Sequence, residues 1–207
     1  MRIYAVVGGI AAGKSTVCRM LARRGGRIVD LDRIGHRVLR SERVLRQLSA
    51  RFGADIVGAD GEIDRRVLGQ RVFGRPQKLR ALNAIVHPEI GRRLRRRLRD
   101  LERDGATFVL IDAALFLDVD LGLDVDAVVA VTAPAAVRRE RLQRRDALTA
   151  EEADARLSSQ PRVGVWTRRA DFRIDTRGSL QDLEERVEKV WRQMQRQRRR
   201  GRKRGGS

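Results

Sequence analysis

The chain has 207 residues, 42% of them hydrophobic, enough for one core with small insertions and too apolar for global disorder. Lysine and arginine number 46 against 27 acidic residues, a net charge of +19 that favours anionic partners. No apolar run approaches the roughly 20 residues of a membrane span, and a single cysteine, Cys18, and two histidines exclude an internal disulfide or a metal cluster of cysteine and histidine. These features predict a cytoplasmic protein with no membrane partner.

Strands and helices alternate along the sequence. Ile3–Val7 is a short apolar run ending in glycines, which predicts a buried strand, and Ser15–Arg24 follows as a helix stopped by Gly25. Arg27–Asp30 predicts a second strand, Thr107–Ile111 a third, Ala127–Val131 a fourth and Phe172–Ile174 a fifth. Apolar strands separated by helices indicate an α/β fold, a five-stranded parallel sheet flanked by helices. Between the second and third strands about 75 residues carry helical patterns only, at Val38–Phe52, Asp64–Phe73 and Lys78–Leu101, with Pro88 expected to kink or divide the last. The arginines at 92, 93, 95, 96, 97 and 99 alternate with an apolar stripe of Ile90, Leu94, Leu98 and Leu101, as a solvated helix face does. From Arg192 onward there are eight basic and no acidic residues, and the chain beyond Arg196 is expected to be a disordered basic tail.

The sharpest motif is Gly8-Gly9-Ile10-Ala11-Ala12-Gly13-Lys14-Ser15, which matches G-x-x-x-x-G-K-[ST] after a strand and before a helix. Glycines let the backbone curl so that successive N–H groups meet a phosphate at the helix N-terminus. Lys14 is expected at the β- and γ-phosphates and the Ser15 hydroxyl at Mg²⁺, with Gly9, Ile10, Ala11, Ala12, Gly13 and Thr16 completing an ATP site. Asp30 and Asp32 stand at or just past the end of the second strand, where a carboxylate can accept a proton from an attacking hydroxyl or simply cap a helix. Asp112 ends the third strand, as a metal-holding acid or as a cap. Arg138, Arg141 and Arg145 share one helix face, and Thr149 with Glu152 forms a capping box opening the next helix. An arginine-rich helix pair beside such a loop is expected to act as a lid.

Together these residues resemble dephospho-coenzyme A kinase from end to end, up to the basic tail. The matches are GGIAAGKSTV at 8–17, VDLD at 29–32, FGADIV at 52–57, DGEIDRRVLGQRVF at 60–73 and LNAIVHPEI at 82–90, then RLQRRD at 141–146, RLSSQ at 156–160 and ADFRID at 170–175. The resemblance implies ATP-dependent phosphorylation of the ribose 3′-hydroxyl of dephospho-CoA, with Mg²⁺. It implies a core from 1–32, 105–137 and 170–195, an acceptor-binding helical subdomain at 33–104 and a lid at 138–169, with the basic tail at 196–207 lying beyond it. By the same resemblance Asp32 is the catalytic aspartate, Arg141 and Arg145 are lid arginines, and Leu82, Asn83, His87 and Pro88 line the acceptor site. Two positions depart from the family pattern. A Pro-Leu-Leu-Phe-Glu-like segment after the third strand reads Asp112-Ala113-Ala114-Leu115-Phe116-Leu117-Asp118, and a usual Ile-Asp-Asn reads Ile174-Asp175-Thr176. Competing readings are another small-molecule P-loop kinase and an ATP-dependent nucleic-acid-binding protein. Scarce aromatic residues, at 4%, argue against the second, so nucleic acid is not expected as an obligatory partner, though the tail offers weak attraction to RNA.

Overall fold

The computed structural model describes residues 1–113, 121–160 and 167–204, with side chains up to 196. Five strands form one parallel sheet in the order β2-β3-β1-β4-β5: β1 (Arg2–Gly8), β2 (Arg27–Asp30), β3 (Phe108–Asp112), β4 (Ala127–Thr132) and β5 (Phe172–Asp175). β1 is central because it is almost wholly apolar; Tyr4 to Gly8 are all buried, pairing with β3 on one side and β4 on the other.

The chain divides into two compact units. The first comprises residues 1–29, 105–117 and 124–207, and the second 30–104 with 118–123. In the first, helix α1 (Lys14–Ala22) buries Val17, Cys18, Met20 and Leu21 among Val6, Leu110 and Val129 of the sheet. The C-terminal helix (Leu180–Arg204) adds Leu183, Val187, Val190 and Met194 to that core. It continues past Arg196, where the sequence predicts an unstructured tail. Arginine and glutamine are good helix formers, and Met194 supplies a buried anchor just before the basic stretch.

The second unit is helical: α2 (Leu31–Leu39), α3 (Glu42–Phe52), a 3₁₀ turn (Ala54–Ile56), α4 (Arg65–Val72) and α5 (Pro76–Arg103). Val38, Leu48, Phe52, Ile56, Leu68 and Val86 form its core. Truncating a fully buried Leu48 to alanine would cost about 2–5 kcal/mol. α5 is not divided at Pro88. The carbonyl that a proline orphans lies four residues earlier, at Ala84, and both residues are on the exposed side, where water can satisfy it. Gly91, Leu94, Leu98 and Leu101 are buried while the neighbouring arginines stay exposed or half-exposed, as the apolar stripe predicts. Two further helices, α6 (Ala135–Asp146) and α7 (Ala150–Ser158), lie in the segment expected to form a lid, and the C-terminal helix is α8.

Candidate active site

The glycine-rich loop joins the C-terminal end of β1 to α1. A Cβ on Gly8 would lie 2.6 Å from the Val131 carbonyl oxygen, so the strand packs too closely for any side chain there. Gly13 caps α1 at φ 88°, ψ 18°, and Ala11 takes φ 58°, a left-handed conformation that costs a non-glycine residue about 1–2 kcal/mol. Left-handed residues interspersed in such a loop turn consecutive N–H groups to one side, which makes an anion-binding concavity. No side chain caps the first turn of α1 and no acidic residue stands in it, so its partial positive charge is left for a ligand.

Lys14 and Ser15, the first residues of α1, meet the acid at the end of β3. Lys14 Nζ lies 2.5 Å from Asp112 Oδ1, and the Ser15 hydroxyl donates to Asp112 Oδ2 at 3.4 Å. Both charged side chains are about 15% exposed, enough burial for the attraction to survive solvent screening. Asp112, whose sequence position leaves open a metal-holding or a capping role, thus pairs with the first two residues of α1. Residues 114–120, which contain the departure from the Pro-Leu-Leu-Phe-Glu pattern, lie outside the described residues.

The arginine face of α6 separates into distinct environments. Arg141 Nη1 donates to Thr176 Oγ1 at 2.8 Å and to the Ala11 carbonyl at 3.3 Å, while Nη2 donates to the Thr176 carbonyl at 2.7 Å. It thus sits against the loop. Arg145 turns to its chain neighbour Asp146, donating from Nε at 2.8 Å and Nη2 at 3.0 Å. Arg156, one helix later, reaches the same carboxylate at 2.8 Å, so Asp146 joins α6 to α7 and is held below the usual carboxylate range, first by the Arg145 fork. The predicted Thr149–Glu152 capping box opens α7. Two polar residues that sequence reasoning passed over also belong here. Gln160 accepts from the Ile10 N–H at 2.6 Å, and the Thr176 hydroxyl donates to the Ala12 carbonyl at 2.9 Å. Their only sequence signals were membership of RLSSQ and the departure at Ile-Asp-Thr.

In the second unit, Asp30 accepts from the Arg33 N–H at 2.9 Å and so caps α2, the helix-capping alternative for that residue. Asp32 is exposed in the first turn of the same helix. α2 also lines a groove of about 310 Å³ with Arg33, His36, Arg37 and Arg40, closed by Glu62, Ile63 and Arg65. Leu82, Asn83, His87 and Pro88 all lie on α5; Leu82 packs against the helical core, Asn83 and His87 are half-buried, and Pro88 is exposed. Beside them the Glu89 carboxylate, 10% exposed, accepts from Arg92 and Arg93, and Arg93 reaches on to the Arg37 carbonyl of α2 at 3.2 Å. Those hydrogen bonds, Arg92 first, outweigh burial and lower Glu89 from 4.5 to about 2. A depressed carboxyl stabilises the fold above its unfolded value and loses that contribution as pH falls through its folded value. The parent should therefore lose stability between about pH 4.5 and pH 2 by an amount that Glu89→Gln does not show, measured by urea melts across that range.

The family profile described as dephospho-CoA kinase matches residues 2–182. The chain belongs to the dephospho-CoA kinase family. A dephospho-CoA kinase of Symbiobacterium thermophilum is 39% identical over 193 residues, covering 93% of this chain and 81% of that one. Among solved structures, a Thermus thermophilus protein superposes with a TM-score of 0.79 at 32% identity, covering 93% of this chain and 97% of that one. The dephospho-CoA kinase of Campylobacter jejuni gives a TM-score of 0.58 at 26% identity, with 93% and 96% covered. The dephospho-CoA kinase match at 2–182 takes in the loop, Asp32, α5, α6, α7 and Thr176, and ends in the first turn of α8.

Proposed function

We propose that this chain transfers the γ-phosphoryl group of ATP to the ribose 3′-hydroxyl of dephospho-CoA, giving CoA and ADP, the final step of CoA biosynthesis. The observation that carries this reading is the Lys14–Asp112–Ser15 cluster at the foot of the glycine loop, in a chain of this family. Phosphoryl transfer is mostly positioning and charge stabilisation, and the residues divide along those lines. The loop from Gly9 to Thr16 receives the phosphates through those of its N–H groups that no protein acceptor takes, and Lys14 neutralises the β- and γ-oxygens. Lys14 is already paired with Asp112, so nucleotide entry exchanges one anionic partner for another.

Ser15 and Asp112 present hard oxygen groups side by side, which suits Mg²⁺, an ion that takes one or two protein ligands and completes its shell with water and phosphate. When bound, the ion supplies charge neutralisation on the phosphate oxygens. Asp32 orients the acceptor hydroxyl and takes its proton. Leu82, Asn83, His87 and Pro88 hold the acceptor, with 33–104 as the subdomain that binds it. No helix among the described residues is long and apolar enough to cross a membrane, and we place the reaction in the cytoplasm.

Arg141 neutralises phosphate from its place against the loop, and Arg145 approaches the charge that develops during transfer. Arg145→Ala should therefore lower kcat more than it raises the KM for ATP. Steady-state kinetics check this, and a variant equal to the parent would return Arg145 to the solvated surface. The acceptor assignment is tested by assaying ADP release with ATP and a panel of dephospho-CoA, nucleosides, nucleotides and shikimate. Turnover confined to dephospho-CoA is expected; preference for another acceptor would replace the reading with another small-molecule kinase.

A further inference from the structure

Three consecutive residues of the phosphate loop are each held by a side chain from far along the sequence. The Ile10 N–H donates to Gln160 Oε1, the Ala11 carbonyl accepts from Arg141 and the Ala12 carbonyl accepts from Thr176. Thr176 is 2% exposed, and a Cβ on Gly13 would sit 3.3 Å from both its Cγ2 and its Oγ1. Its hydroxyl is satisfied twice, donating to Ala12 and accepting from Arg141. Midway between the outer two pins lies Ala11 at φ 58°. Such a conformation persists in a non-glycine residue only where its surroundings over-determine it. Here they do, on both sides. A carbonyl committed to a donor is also turned away from an incoming phosphate, which its negative end would repel.

We propose that Gln160 and Thr176 are positioning residues of the phosphate loop, holding it in its anion-ready curve before nucleotide arrives. This rests on the reading of the loop as a nucleotide site. Neither residue touches the reacting atoms; each acts through the backbone of Ile10 to Ala12. Gln160 stands two residues past the end of α7, and α7 is tied to α6 by the Arg139–Asp154 and Arg156–Asp146 pairs. Nucleotide affinity is consequently set in part from the helix pair and in part from the end of β5, and the threonine at 176 does this work with its hydroxyl.

The test uses the full chain, with ADP and magnesium chloride titrated calorimetrically and ATP varied in steady-state turnover. Gln160→Ala and Thr176→Val should each weaken ADP binding about five- to tenfold, the worth of a hydrogen bond lost from a preformed site. Thr176→Ser, which keeps the hydroxyl, should bind like the parent. The KM for ATP should rise while kcat at saturation stays within about twofold. Ala11→Gly removes the need for support, so adding it to Gln160→Ala should restore affinity. Unchanged affinity in both weakened variants overturns the proposal, as does a loss confined to kcat or a serine variant as damaged as the valine one. Should Thr176→Val not fold, the Gln160→Ala pair with and without Ala11→Gly decides alone. A parent that binds no ADP would sink the nucleotide reading itself, whereas a binding parent with unaffected variants sinks only the pins.

Discussion

Lys14→Ala should reduce phosphoryl transfer by ~10²–10³ while the protein still folds. One charge-assisted contact to a transferring phosphoryl group is worth about 3–4 kcal/mol in the transition state, which is that loss in rate. The structure adds a second consequence. Lys14 is the partner of Asp112 at 2.5 Å, and its removal leaves that carboxylate without its cation beside the incoming triphosphate. The variant should accordingly weaken ATP binding as well as slow transfer. Lys14→Ala with Asp112→Asn should recover part of the binding but little of the turnover, because the repulsion is relieved while the lost charge is not replaced. Steady-state kinetics and calorimetry on both variants, with Tm measured alongside, separate the two effects. Near-normal turnover in Lys14→Ala would remove the loop from the mechanism.

The second large effect belongs to Asp32. A positioned acid/base group contributes ~10²–10⁴-fold to such a transfer. Asp32→Asn keeps the size of the side chain but cannot take the acceptor's proton, so it should bind ATP and dephospho-CoA nearly as the parent does and turn over at least about a hundredfold more slowly. Asp30→Asn is the matched control. Asp30 caps α2 through the Arg33 N–H, and asparagine is as good a cap as aspartate, so this variant should keep both fold and turnover. Asp112→Asn probes the other carboxylate, whose place beside Lys14 and Ser15 predicts weakened metal binding. If Asp112→Asn loses proton-transfer turnover while Asp32→Asn keeps it, the base has been assigned to the wrong acid.

How far the sequence reveals this arrangement depends on how far apart the interacting residues lie. Local patterns were readable: the loop motif, the five strands, the capping box at Thr149 and the stripe on α5 all follow from spacing of 2 to 4 residues or from a contiguous run. α2 was harder to see. It begins at Leu31 with no intervening loop after β2, only Leu31 and Val38 of it are buried, and the helical pattern legible in the sequence starts only at Val38. The contacts that shape the site join residues that no periodicity relates. Lys14 and Asp112 are 98 positions apart, Ile10 and Gln160 150, Ala12 and Thr176 164. The same holds for Arg141: its place on the α6 face is legible, but its three hydrogen bonds to acceptors on Ala11 and Thr176 depend on β5 ending beside β4, which sheet order alone decides.

The central claim is that one chain carries out ATP-dependent phosphorylation of dephospho-CoA with the loop at Gly8–Ser15. Its most direct test is to incubate the purified protein with ATP, magnesium chloride and dephospho-CoA and follow products by chromatography and mass. The account predicts equimolar CoA and ADP, dependent on both substrates and abolished to within ~1% of the parent rate in Lys14→Ala. ADP formed without CoA, or CoA formed equally well by Lys14→Ala, would contradict it.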